Sequence, residues 1–179
     1  MTITAYTLAI ETFAPVLTTL SSVLDKGAAY ARANGVDVNA LIGARLAPDM
    51  YPLSAQVKLA CHHAKDATAR LTGATPPKIQ NEELTFDELK ALMEKTVSYL
   101  KGMSENAFDG AEDRKIEIEL QGNRVFESNG IESLRDWSIP RFYFHVVTAY
   151  DILRHNGVEF GKRDYMKHIG RYVQQRADR

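Results

Sequence analysis

Four long stretches whose apolar side chains recur every three or four residues constrain this chain more than any other feature. A helix with one apolar face must bury that face against another element. In the first stretch, residues 4–33, the period runs through Ala9, Phe13, Leu17, Leu20, Leu24 and Ala31, and Asn34-Gly35 ends it. Pro15 lies in its interior, where a missing amide predicts a bend or a local break. The second opens at Pro52 and runs from Leu53 to Leu71 before Thr72-Gly73, with Leu53, Val57, Ala60, Ala64, Ala67 and Leu71 in one inward sector. The third begins where Thr85-Phe86-Asp87-Glu88 has the form of a capping box. The fourth lies between a start signal at Ser138 and Pro140 and a stop at Asn156-Gly157. A brief helical piece over VNALIGAR is capped by Asp37 or Asn39.

Between the third and fourth helices the period changes. Residues 104–133 lose the helical repeat, and IEIEL alternates apolar with charged as a half-buried strand does. Gln121-Gly122-Asn123 turns the chain into RVFE, so a small β-hairpin is expected at 115–127. An isolated hairpin is marginal in water, so it packs over one end of the helices or against a second copy. Pro76-Pro77 sets an extended loop over 74–84, Gly161 to Tyr165 reads as a tight loop, and 166–179 reads as a short helix fraying into a charged tail. The expectation is one all-α domain, 1–179, with a hairpin insertion before its last long helix.

Charge and motif content exclude several functions. Lys plus Arg (22) nearly balance Asp plus Glu (23), which leaves no positive field to hold nucleic acid. The single Cys61 forms no internal disulfide, and MTITAYTLAI lacks the basic start of a secretory signal, so a cytoplasmic protein is expected. Charges interrupt the apolar runs, so no membrane span is expected either. There is no Ser-His-Asp spacing, HExxH, CxxC, GxGxxG or P-loop.

Chemistry-bearing residues concentrate from Trp137 to Tyr165, and His63 on the second helix joins them. His63 sits on the margin of its inward sector, whereas His62 points away. His145 lies roughly 60° off the apolar stripe of the fourth helix, with Thr148 its neighbour one turn on. Small residues at Ala60, Ala64 and Ala149 leave room for a cavity flanked by His63 and His145; the alternative is that the helices close up and the histidines bond within the core. Tyr150 and Arg154 are four residues apart. Arg154 either meets the last carbonyls of its helix or, beside the phenol, holds a carboxylate. His63, His145, Thr148, Tyr150 and Arg154 are therefore the candidate ligand-pocket residues, and Cys61 reads as a small core residue.

The stretches LAPDMYPLSAQVKLACHHAKDATARLTG, TFDELKALMEKTVSYL and IPRFYFHVVTAYDILRHNGVEFGKRDYM resemble an uncharacterised domain family of the DinB-like (DinB/YfiT-like) four-helix-bundle superfamily. That resemblance implies an up-down-down-up left-handed bundle with one long crossover connection. It also implies a comparison with the superfamily's metal site, built from one histidine on the second helix and two histidines four residues apart on the last, in a string like HVVNHxxxHRGQ. Members with that site include thiol-dependent transferases and a maleylpyruvate isomerase. In the gapless register His145, Val146, Val147, Thr148 and Arg154 match, and the ligand positions hold Ala149 and Leu153. In the other register Asp151 and His155 stand in for the pair, and with His63 would suit zinc or nickel. Asp151 and His155 lie roughly 140 to 180° from the inward Phe142, so the first register is preferred.

The resulting expectation is a protein without cofactor or metal that binds an unknown small molecule or an interaction partner, as a homodimer. The alternatives are a metal-dependent thiol-group transferase or isomerase and a structural homo-oligomer; the residues leave open whether any reaction is catalysed.

Overall fold

In the computed structural model, which describes residues 3–78 and 85–174, the first periodic segment is a single helix, α1 (Ala5–Asn34). Thr4 caps it by accepting from the Thr7 amide, and Gly35 closes it at a left-handed φ of 64°. It runs unbroken through Pro15, against the expected local break. An interior proline costs about 3 kcal/mol, but Phe13, Val16, Leu17 and Leu20 are buried around it, each worth about 1.5–3 kcal/mol. Burial on both sides of Pro15 therefore outweighs one lost hydrogen bond. By length and composition α1 is also apolar enough to cross a membrane, so the reading that charges interrupt every apolar run fails for this segment. Those apolar residues form the bundle core, and Phe13 meets Phe142 edge-on at 4.9 Å.

A short α2 (Val38–Gly43) follows, capped by Asp37 through the Asn39 amide. Then come α3 (Leu53–Thr72), ended by Gly73 at φ 74°, and α4 (Phe86–Lys101), whose Thr85–Glu88 capping box is fully formed. The ends of the helices fix their directions. Gly27 near the end of α1 abuts both Phe86, where α4 begins, and Leu153 near the end of the last helix. At the opposite pole the Ala5 amide donates to Glu112 Oε1 at 2.7 Å, and Leu71 at the end of α3 reaches Gly130. The order is up-down-down-up. The crossover from α3 to α4 must regain the full bundle length, and its described part runs back along α3, where Lys65 Nζ donates to Pro77 O at 2.7 Å.

The segment from α4 to the last helix stays at one pole. Strands β1 (Ile116–Leu120) and β2 (Arg124–Ser128) pair antiparallel, one residue later than expected, around a turn with positive φ at Gly122 and Asn123. Ile116 and Ile118 face the helices, and Arg70 of α3 donates to Glu117 O. The last helix also begins earlier than Ser138. Asn129 and Glu132 form a capping box that starts α5 (Gly130–Glu132), which continues through a π-helical turn (Ser133–Ser138) into α6 (Ile139–His155). Ser138 itself is helical and makes no capping bond. The widened turn precedes Pro140, whose ring would crowd the Asp136 carbonyl in a regular helix. After α6, the expected tight loop contains one helical turn, α7 (Lys162–Tyr165), and the following piece is a 3-10 helix, Lys167–Tyr172.

Candidate functional site

The seam between α3 and α6 is where the singled-out histidines meet. Ala60, Ala64 and Ala149 are fully buried there and let the two helices approach closely. The rings of His63 and His145 stack with centroids 5.1 Å apart and planes 22° from parallel, and both side chains are buried. The helices have closed up, so the rings touch one another instead of facing across a gap.

One hydrogen-bond chain orients the pair. Gln56, 1% exposed, donates its Nε2 to the Tyr51 carbonyl at 3.0 Å, which turns Oε1 toward His145 Nδ1 at 2.7 Å. A backbone carbonyl can only accept, so the Gln56 amide orientation follows, and His145 Nδ1–H is the donor to Oε1. Its Nε2 then carries the lone pair. His63 Nε2 is buried with no hydrogen-bond partner among the described residues.

Burial, followed by the neighbouring Arg141, His145 and His62, pushes His63 down to about 3. Burial and then Arg141 push His145 down to about 4. Both imidazoles are therefore neutral at pH 7. Arg141 stands 4.5 Å over the Trp137 ring at the exposed edge, Trp137 packs on Phe126 of the hairpin, and Phe144 meets His145 edge-on.

A metal of the superfamily's type does not fit these residues. Ala149 and Leu153, at the ligand positions of the gapless register, are fully buried and have no donor atoms. Asp151 and His155 of the other register are exposed on the outer side of α6, whereas His63 is buried against α6's inner side. Stacked rings direct their in-plane lone pairs side by side and not toward one point about 2.0–2.1 Å from each nitrogen. Among the described residues no group of three or more His, Cys, Asp or Glu could hold an ion.

The remaining candidates lie apart from the pair. Thr148 is buried and spends its hydroxyl proton on Phe144 O at 2.6 Å. Tyr150 packs edge-on against Phe160 and Tyr165, and Arg154 donates to Val158 O at 2.9 Å beside the Phe160 ring. These two brace the chain's last segment onto α6, with Arg154 about 13 Å along the helix axis from His145. Burial pushes the Cys61 thiol up to about 12, so it is protonated at neutral pH. Gln56 and Arg141 belong to the site without having been singled out in the sequence, and for Gln56 a signal was present. A polar side chain at i, i+4, i+7 spacing with Ala60 and His63 was the available signal.

The family described as a domain of unknown function (DUF1993) matches residues 5–166. The crystal structure of a DinB family member protein from Shewanella denitrificans is 40% identical, covers 90% of each chain and superposes with a TM-score of 0.82. No curated protein matches the chain.

Proposed function

We propose, from the premise that the chain belongs to the DUF1993 family, that it is a metal-free small-molecule-binding protein whose ligand is held at the His63–His145 seam. The observation that carries this reading is the buried, unpartnered His63 Nε2 next to a neutral His145 whose tautomer Gln56 sets. An unmatched buried polar atom costs about 1–3 kcal/mol, and an apolar side chain of similar size would pack the seam without that cost. The cost is relieved when the closed seam parts at its Arg141 edge and a bound molecule hydrogen-bonds to that nitrogen. Arg141 at the rim supplies a guanidinium for an anionic group on the same molecule. Two neutral imidazoles without a nucleophile or a metal define a recognition surface and no reaction. A metal-dependent transferase would need donor atoms where Ala149 and Leu153 stand.

The test is a thermal-shift screen of small hydroxyl- or amide-bearing carboxylates on the full chain, followed by affinity measurements on variants. His63→Ala and His145→Ala should each weaken the best binder by about ten-fold or more, a larger loss than the fall in unliganded stability. Equal losses in affinity and stability would assign both histidines to the fold alone.

A further inference from the structure

A second recognition surface lies on the other side of the bundle, where α1 and the end of α4 meet the C-terminal 3-10 helix. A half-open cleft of about 460 Å³ is walled there by Ile10, Ala14 and Pro15 of α1, by Lys101, and by Lys167 and His168. Three observations bear on its chemistry. The first is charge: Lys101, Lys167 and Arg171 face it with a single carboxylate, Glu11, and that carboxylate is committed to Arg171 at 2.7 Å. Among the lining residues the two lysines are thus an excess of positive charge; Lys167 makes a long contact with Ser22 Oγ at 3.4 Å and lies in the field of Asp164, a carboxylate outside the cleft that Lys26 already pairs. The second is an orphan. His168 Nδ1 is buried and has no hydrogen-bond partner among the described residues. The third is the floor, where Ile10 and Ala14 are almost wholly buried and Pro15 presents a ring without an amide. A cationic rim above an apolar floor is complementary to a molecule that is anionic at one end and apolar at the other.

We infer that this cleft binds a small organic carboxylate, its carboxylate held by Lys101 and Lys167 beside His168 and its apolar part lying on Ile10, Ala14 and Pro15. The site shares no residue with the His63–His145 seam, so it stands or falls separately from the function proposed there.

The experiment uses the isotope-labelled full chain, with benzoate as the probe and inorganic phosphate as an anion lacking the apolar part. Benzoate should shift the His168 imidazole and the amides of 10–22 saturably. Lys101→Gln and Lys167→Gln should each weaken that binding by roughly three- to ten-fold, and His63→Ala should leave it unchanged. Three results would overturn the assignment: no saturable shift with benzoate, wild-type affinity in both lysine variants, or phosphate binding as tightly as benzoate.

Discussion

The two long seams of this bundle are built by opposite rules. Where α1 meets α4, the buried residues include Leu17, Leu20 and Leu24 on one side and Leu89, Met93 and Leu100 on the other, all apolar and all nearly without exposure. Where α3 meets α6, Gln56, His63 and His145 are set among Ala60, Ala64 and Ala149. Apolar burial dominates the first seam: its buried Thr96 is satisfied within α4 by Leu92 O, and a Lys90–Asp25 ion pair lies at the edge. The second carries polar atoms that the fold does not require, one of them unmatched, and departures of that kind from local consistency mark sites selected for something besides stability.

Truncation separates the two rules most sharply in the apolar part of the core. Phe13→Ala removes a fully buried ring that packs on Phe142, and should lower unfolding free energy by about 3–5 kcal/mol in urea denaturation. A loss below about 1 kcal/mol would mean that this part of the core is not the stabilising element. The polar seam should respond less and differently. Gln56→Ala leaves His145 Nδ1–H without its acceptor and should cost about 1–3 kcal/mol, while freeing His145 to change tautomer. If imidazole spectra of that variant keep the wild-type tautomer, Gln56 is not what sets it.

Most of the architecture could be read from local patterns because its determinants are local. The Thr85–Glu88 box, the Asp37 cap, the glycines after α1 and α3, and the alternation of β1 all act within a few residues of the element they define. The Asn129–Glu132 box is equally local but sits in a stretch without apolar period, and the π-helical turn between it and Pro140 hides the continuity with α6. The unbroken α1 depends on burial by partners distant in sequence, which a proline rule does not include. At the candidate site, the marginal placement of His63 and His145 on their helices was visible, since a helical period gives angle directly. Their stacking, and the Gln56 bond spanning 89 positions, depend on how closely α3 and α6 approach. Tyr150 and Arg154 were grouped with the pair by proximity in sequence, yet their partners are Phe160, Tyr165 and Val158, residues of the segment that folds back over the end of α6.

The central claim is that His63 and His145 are a neutral, metal-free pair, and imidazole nitrogen resonances report on it most directly. The unfolded chain takes up protons on both rings near 6.5, whereas the folded chain resists until about 4 for His145 and about 3 for His63. Acid therefore destabilises the fold through this pair as pH falls below 6.5. In a titration of the folded protein, both rings should stay neutral through pH 6.5, with His145 protonated at Nδ1, and equimolar zinc or nickel should move neither. Titration of either ring near 6.5, or a stoichiometric shift of both on adding metal, would contradict the account.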